Sequence, residues 1–362
     1  MRTVESEKKR MAFAAPQSML PFSLMDRRTF QPITERRIYA DKQEEELSAE
    51  AAAKREAYDA SYHSPDGKLL DELASDGDGR GLLAVVHADG NNMGKKIMAY
   101  LGDASRMDYN KAVTLMRTFT SETQKAFIDG PMQALDSDPR TVRCVIADGD
   151  DVTFVCNAKD ALALTETYLK QVEAYEFRDR EGKRIRFSSC AGICIFHAHY
   201  PFFMAYRLAE DACDAAKVRV HRTGKDESWI DFHYIHSGLA QSLDEIRAEQ
   251  GTGPCMARPW RIGASEDSAV WTAEKMRQTA KLLQAQRVSR SRIKRIGAVM
   301  ENDLKSTFPR TQKELVLLYD RHPGVKEQLE QMAETETDLL RGLYDLYETY
   351  DLWFRADGKE EA

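Results

Sequence analysis

The sequence predicts an α+β fold, with a small β-sheet covered by helices and further helical segments on either side. Short runs that alternate or are continuously apolar, as in strands, lie at residues 81–89, 141–156, 184–195 and 228–234. Segments with apolar residues at helical spacing lie between them, at residues 109–127, 158–175 and 201–218. The order strand, helix, strand, strand, helix, strand is that of ferredoxin-like sheets, so we expect a βαββαβ core.

Composition excludes several classes of protein. The chain has 362 residues, 42% of them hydrophobic and 31% charged, which is typical of a globular protein with two or three domains. A net charge of −7 disfavours a surface that coats nucleic acid. The six cysteines form no C-x-x-C pair, so we expect reduced thiols in a cytoplasmic protein and no zinc site. No apolar run is long enough to span a bilayer, and we expect no membrane association.

Three regions are predicted. Residues 1–80 form an N-terminal helical and linker region, with an exposed helix over 44–58 and a loop over 64–81. Residues 81–262 contain the βαββαβ domain, and residues 263–362 form a C-terminal helical domain. Within the last, residues 329–353 predict an amphipathic helix that belongs to the core or to a subunit interface.

The first predicted strand ends at a helix start that suits phosphate. Asp89 closes the strand, and Asn91, Asn92, Met93 and Gly94 follow Gly90. A helix start presents free backbone N–H groups and the positive end of the helix dipole, so this segment predicts a phosphate cradle. Asp89 serves either as a turn or cap residue or as a ligand beside the cradle.

The predicted hairpin at 141–156 carries three carboxylates in its turn. Asp148, Gly149, Asp150 and Asp151 stand between two alternating apolar runs, and Asp-Gly is a strong hairpin-turn pair. The turn alone is compatible with a solvated acidic loop or with a divalent-cation site, since hard cations prefer oxygen ligands. In a ferredoxin-like sheet the end of the first strand lies beside this turn. Asp89, Asp150 and Asp151 are then placed as two-metal phosphoryl transfer requires, which predicts two Mg²⁺ or Mn²⁺ ions.

Four motifs in this order resemble a known family. They are ADGNNMG (88–94), DGDD (148–151), SSCAGI (188–193) and AEDACDAAK (209–217). Together they resemble the palm of GGDEF nucleotide cyclases, and more closely the GGDD palm of the large, polymerase-like subunit of type III CRISPR–Cas complexes. MARPW (256–260) and SRSRIKRIGAVMENDL (289–304) extend the resemblance to about residue 305.

The resemblance implies a fold, an activity and a site. It implies a palm enzyme that converts ATP or another NTP to a cyclic oligoadenylate or cyclic dinucleotide, releasing pyrophosphate, in antiviral defence. A downstream effector would respond to the product. Asp89, Asp150 and Asp151 match the metal-binding and catalytic positions. The implied nucleotide-binding residues are Asn91, Asn92, Met93, Gly94, Gly149, Ser188 and Lys217.

The chain also departs from that family. Asp148 stands where the family has the first glycine of GGDD, and we find one palm, no N-terminal nuclease motif and no zinc module. These departures indicate a stand-alone, single-palm relative. Because cyclisation joins nucleotides head to tail, we expect a homodimer whose two palms face each other.

Alternatives remain open at this stage. The chain could be a catalytically silent nucleotide sensor that signals through its helical tail, or a diguanylate-type cyclase that uses GTP. The basic run at 287–295 has five cations and is either a solvated helix face, which we favour, or a contact for RNA or a protein partner.

Overall fold

A computed structural model of the chain describes residues 24–26, 29–38, 44–62, 69–75, 81–102, 107–137, 142–235, 242–250, 255–265, 267–303 and 309–353. The chain divides into two compact units, residues 1–72 and residues 73–362. The boundaries of the three predicted regions therefore stay a prediction.

The first unit contains a β-hairpin followed by a helix. Strands β1 (Ile33–Ile38) and β2 (Glu44–Ser48) pair antiparallel, and α1 (Ala49–Tyr62) follows at once. The helix predicted from residue 44 thus begins five residues later, because Glu44–Ser48 pairs with β1 and Glu46 binds Arg36 at 2.7 Å. The predicted loop at 64–81 contains a short helix, α2 (Leu69–Ala74), and its other residues lie mostly outside the described ranges.

The second unit opens with the predicted βαββαβ core and adds strands to it. Its elements in chain order are β3 (Leu82–Gly90), α3 (Met93–Leu101), α4 (Tyr109–Gln124), a π-helical turn (Lys125–Asp129), α5 (Gly130–Asp136), β4 (Val142–Asp148), β5 (Asp151–Asn157), α6 (Ala161–Ala174), β6 (Phe177–Arg178), β7 (Arg184–Ile185), β8 (Ser189–His197), α7 (Phe202–Thr223), β9 (Trp229–Tyr234), α8 (Leu243–Gln250) and β10 (Trp260–Arg261). The strand predicted over 184–195 is split into β7 and β8, and α7 runs past its predicted end.

One six-stranded sheet organises this unit, with the order β10-β9-β8-β3-β5-β4. Four adjacent strands of this sheet, β8-β3-β5-β4, have the ferredoxin-like order. Within the six strands, β8 and β9 pair in parallel and the other neighbours pair antiparallel. The α+β, palm-type fold class is confirmed. Alternate residues of β3 divide between the two faces: Ala84, Val86 and Ala88 belong to the large apolar core, whereas His87 packs its ring against Tyr206 of α7.

Helices form the rest of the second unit. They are α9 (Ala273–Ala285), α10 (Arg290–Asp303), α11 (Pro309–Arg321), α12 (Pro323–Gln331), α13 (Glu336–Thr349) and a 3₁₀ turn (Tyr350–Leu352). The single helix predicted over 329–353 is wrong in its continuity. The chain breaks before α13, where the Thr335 hydroxyl accepts a hydrogen bond from Asp338 N–H and caps the new helix. The apolar side of α13 lies in the same core as the sheet. This agrees with the first of the two roles predicted for the segment, the core or a subunit interface.

A buried ion cluster joins α13 to the sheet. Arg258 is 6% exposed and lies against Asp231 of β9 and the carboxylates of Asp345 and Glu348. Asp345 also accepts hydrogen bonds from Arg258 N–H at 2.7 Å and from Trp260 Nε1 at 2.8 Å. Removing one member of such a cluster leaves a buried charge without its partner, so the cluster holds the C-terminal helices to the palm.

Four of the five cations in the basic run pair with two carboxylates of the same chain. Arg292 and Arg295 bind Glu314 at 2.9 and 2.8 Å, and Arg290 binds Asp351 at 2.5 Å. Lys294 lies 3.4 Å from Asp351. The interpretation as a merely solvated face was therefore incomplete, and an RNA or protein partner at 287–295 stays a prediction.

In the part of the chain that the structure describes, no helix combines the length and the apolarity that crossing a bilayer requires.

Candidate active site

The end of β3 and the β4–β5 turn bring the predicted carboxylates together. Asp89 and Asp151 are cross-strand neighbours in the β3–β5 register. Asp150, in the turn between β4 and β5, lies close enough to Asp89 for the negative charge of Asp89 to raise the pKa of Asp150. Residues far apart in sequence thus form one acidic corner, which we define as Asp89, Asp150 and Asp151.

Two glycines allow this approach. A Cβ on Gly90 would stand 2.8 Å from both Cβ and Oδ2 of Asp150 and 2.9 Å from Cγ of Met93, so only glycine leaves room for Asp150. Gly149 has φ +64° and supplies the left-handed turn conformation, with no other atom within 4 Å of a Cβ there. The predicted role of Gly149 in nucleotide binding is therefore accompanied by a clear role in the turn.

Burial and mutual repulsion raise the pKa of Asp150 and Asp151 in the acidic corner. Burial and then the negative charge of Asp89 raise the pKa of Asp150. Burial raises the pKa of Asp151, and the charges of Asp89, Glu210 and Asp148 add to this, while His87 opposes it. Asp148, which departs from the family motif, thus increases the negative potential at the corner. Such crowding favours a cation that neutralises it.

Lys217 supplies one positive charge at this corner. Its ammonium group pairs directly with Asp89. Burial lowers the pKa of Lys217, but the hydrogen bond and attraction of Asp89 outweigh it, so that the pKa is raised and the lysine stays charged. Lys217 reaches the corner because α7 lies almost in backbone contact with β8: a Cβ on Gly192 would stand 1.9 Å from Ala209 O and 2.4 Å from Cys213 N.

A second polar group lies behind Asp151 and was missed by the sequence analysis. His87 Nδ1 lies 3.4 Å from Asp151 Oδ1 and 3.2 Å from Thr153 Oγ1. The His87 ring meets the Tyr206 ring edge-on at 5.6 Å, and Glu210 adds to the effect of burial in raising the pKa of Tyr206 to about 12. The sequence spacing could have indicated this group. Residues two apart on a strand share a face, and His87 is two residues before Asp89. Residues seven apart on a helix also share a face, and Glu210 is seven residues before Lys217.

The phosphate cradle (residues 91–94) follows β3 as predicted, but its residues differ in accessibility. Asn91 is 2% exposed and donates from Nδ2 to Ser188 Oγ and to Glu227 O, both at 3.0 Å. Ser188 is fully buried and donates to Asp226 Oδ1 at 2.7 Å. Direct contact of Asn91 or Ser188 with a nucleotide is thus disfavoured, because their donors are already used within the protein.

The other cradle residues remain accessible. Asn92 adopts φ 55° before α3 and its side chain makes no capping bond. Met93 is partly buried, and Gly94 is exposed with open space around it. The N–H groups of the first turn of α3 have no acceptor inside a regular helix, so they are the groups that an anion would meet here.

Lys96 lies under the cradle. Its Nζ donates to Asn91 O at 2.8 Å and pairs with Asp226 Oδ2 at 2.7 Å. Burial lowers the pKa of Lys96, although Asp226 and Asp150 oppose this. Lys95, next to it, is exposed. The sequence motifs gave no indication of Asp226.

The acidic corner has the type of donor atom that a divalent ion prefers, but it does not form a complete set of ligands. The carboxyl groups of Asp89 and Asp150 lie near enough to affect each other's charge, and Asp151 Oδ1 is buried without a hydrogen-bond partner among the described residues. Oxygen donors of this kind suit Mg²⁺ or Mn²⁺. Within the described residues, however, no group of three or more His, Cys, Asp or Glu side chains is arranged to hold a metal ion. The metal role of all three aspartates stays a prediction.

Comparison with known proteins supports the resemblance over the palm. Residues 82–227, less than half of the chain, match the family model of the Cas10/Cmr2 second palm domain. No curated protein matches the chain.

Solved structures resemble the chain only weakly. A chain of the Csm1–Csm4 subcomplex of a type III-A CRISPR-Csm interference complex is 15% identical, with 78% of this chain and 37% of that chain covered and a TM-score of 0.40. The GGEEF domain of a diguanylate cyclase from Vibrio cholerae is 18% identical, with 43% of this chain and 85% of that chain covered and a TM-score of 0.27. Both TM-scores are below 0.5, so the assignment depends on the family model. The motif-based recognition is confirmed over this segment, since residues 82–227 match the model of the Cas10/Cmr2 second palm domain.

Proposed function

We propose that the chain is a nucleotidyltransferase that converts ATP to a cyclic oligonucleotide, a cyclic oligoadenylate or cyclic dinucleotide, and releases pyrophosphate. The observation that carries the proposal is the approach of Asp89 and Asp150 at the start of the phosphate cradle. A palm-type domain with paired carboxylates beside an anion-binding helix start has the parts that phosphoryl transfer needs.

Each residue has a separate task in this proposal. Asp89, Asp150 and Asp151 hold two Mg²⁺ or Mn²⁺ ions, which favour ionisation of a ribose hydroxyl and stabilise the departing pyrophosphate. The N–H groups around Met93 and Gly94 bind phosphate oxygens. Lys217, which pairs with Asp89, also binds the triphosphate in this proposal. His87 lies behind Asp151, with Nδ1 at 3.4 Å from Asp151 Oδ1.

The assembly and context are part of the same proposal. One palm holds one nucleotide, so two chains acting as a homodimer would bring two nucleotides together. A role in antiviral defence, with an effector that binds the cyclic product, follows the family match of the palm. We propose a cytoplasmic location, which agrees with six free cysteines.

A nucleotide sensor without catalysis is a second candidate. It is favoured by the absence, among the described residues, of a three-ligand metal group. In such a protein nucleotide binding alone would change the contacts of the C-terminal helices.

Product analysis tests the proposal. The full chain is incubated with all four NTPs and Mg²⁺ or Mn²⁺, and products are identified by mass spectrometry beside Asp150→Ala and Asp151→Ala variants. We expect a cyclic adenylate and pyrophosphate from the wild type only. A cyclic guanylate would select the GTP-using enzyme, and nucleotide binding without pyrophosphate release would select the sensor. A monomeric mass with substrate present and full activity would contradict the homodimer.

A further inference from the structure

A closed circuit of hydrogen bonds lies beneath the phosphate cradle. Asn91 donates from its backbone N–H to Ser188 O at 2.9 Å and from Nδ2 to Ser188 Oγ at 3.0 Å. Ser188 Oγ donates to Asp226 Oδ1 at 2.7 Å, and Lys96 binds Asp226 Oδ2 at 2.7 Å. Lys96 closes the circuit by donating to Asn91 O at 2.8 Å. Both oxygens of the Asp226 carboxylate are therefore used to connect the cradle to Ser188, the residue before β8.

Three of the four residues in the circuit are largely shielded from water, whereas Asp226 is exposed. Asn91 and Ser188 are buried, and the Lys96 side chain is 11% exposed. Asp226 is its most accessible member, with a side chain that is 32% exposed. The hydrogen bonds from Ser188 and Lys96 to Asp226 involve a carboxylate and are therefore stronger than neutral ones, so the circuit can fix a backbone segment.

The cradle needs such support because its helix has no ordinary cap. Asn92 stands at the N-cap position in a left-handed conformation, and its side chain makes no hydrogen bond to the first turn. In many helices that bond fixes the first turn relative to the preceding strand. Here Asn91 and Lys96, which flank the first turn of α3, are both held through Asp226 instead.

We propose that Asp226 is a positioning residue for the triphosphate site: through Lys96 and Ser188 it fixes the start of α3 so that its N–H groups face the phosphates. This inference rests on the proposed function, because it assumes that the cradle binds a triphosphate. It also assigns Asn91 and Ser188 to support of the cradle and not to contact with the base.

The test measures binding of the phosphate group apart from catalysis. Affinity for inorganic tripolyphosphate with Mg²⁺ is measured by calorimetry, together with kcat and KM for the NTP that the wild type uses. Asp226→Asn keeps an acceptor for Ser188 but loses the negative charge that Lys96 needs. We expect tripolyphosphate affinity to fall and KM to rise, each about tenfold, with kcat within a factor of about two.

Two further variants separate positioning from folding. Lys96→Met should have the same effect as Asp226→Asn, and the double variant should be no worse than either, because both residues act in one circuit. Lys96→Arg keeps the charge and should restore much of the affinity. Asp351→Asn removes a carboxylate that binds Arg290 in the C-terminal helices and serves as the control, with melting temperatures measured for all.

The outcomes are distinct. Unchanged tripolyphosphate affinity and KM in Asp226→Asn, or a lower melting temperature as its only effect, would overturn the inference and leave the proposed function standing. If Asp226→Asn does not fold, Lys96→Met carries the same test. A wild type that binds neither NTP nor tripolyphosphate would overturn the proposed function and the inference with it.

Discussion

Replacing Gly90 with alanine should move Asp150 and leave the chain folded. The added Cβ would stand 2.8 Å from Asp150 Cβ and Oδ2 and 2.9 Å from Met93 Cγ. Carbon atoms in ordinary contact are about 3.5–4.0 Å apart, so Asp150 must move by about 1 Å. A displacement of that size at reacting groups costs about 100-fold in rate, whereas the overpacking itself costs about 1–3 kcal/mol of stability.

The assay is pyrophosphate release with saturating NTP and Mg²⁺, measured beside thermal unfolding. Gly130→Ala is the matched control, because a Cβ on Gly130 meets only Lys125 O at an ordinary 3.5 Å. We expect a folded Gly90→Ala protein with roughly 1% of wild-type activity and a Gly130→Ala protein with full activity. Full activity in Gly90→Ala would refute the argument that the position of Asp150 limits the reaction.

Other predictions concern the packing and charges around this site. Gly192→Ala should lower the free energy of unfolding by about 3 kcal/mol in urea, because its Cβ meets helix backbone that no rotamer change can relieve; an unchanged urea midpoint would contradict this. Arg258→Met should cost about 3–5 kcal/mol, since it leaves buried carboxylates without their cation, and a loss under about 1 kcal/mol would show that the cluster contributes little. Burial raises the pKa of Asp345 to about 7, so the folded chain binds this proton more tightly than the unfolded chain does. The free energy of unfolding should therefore decrease as the pH rises from about 4 through 7. Over that pH range the melting temperature of Asp345→Asn should fall less than that of the wild type. If the two melting temperatures change equally with pH, the raised pKa of Asp345 is contradicted. Lys217→Met should weaken NTP binding about tenfold, as judged by calorimetry, with equal affinity as the contrary result.

The convergence of the acidic corner was accessible from sequence because two simple rules act together. Alternation and an Asp-Gly pair locate the hairpin turn, and the ferredoxin-like order then sets β3 beside β5. Once that order is fixed, Asp89 has no other place to lie than next to the turn. The motif resemblance agreed, and the family match covers the same segment.

The environment of the cradle could not be obtained in the same way. Asn91 and Ser188 were predicted to bind nucleotide from their motif positions, yet both are buried and hydrogen-bonded within the protein. Asp226, the centre of that circuit, lies in a polar segment with no local pattern that distinguishes it from a solvated turn. Such contacts depend on tertiary structure, and hydrophobic periodicity does not encode them.

The break before α13 is different, because the sequence contained the necessary information. Thr335 followed three residues later by Asp338 is a helix-start pattern inside the segment 329–353. The apolar spacing of that segment dominated the interpretation, and the local cap was overlooked. Short capping patterns should therefore be weighed before a long amphipathic helix is drawn.

The central claim is that Asp89 and Asp150 together bind divalent ions next to a triphosphate. Electron paramagnetic resonance titration of Mn²⁺ tests it most directly, with wild type, Asp89→Asn and Asp150→Asn compared in the presence and absence of ATP. We predict two Mn²⁺ ions per chain in the wild type with ATP present, and loss of at least one in each variant. Equal Mn²⁺ binding by all three proteins, with ATP bound equally well, would contradict the account.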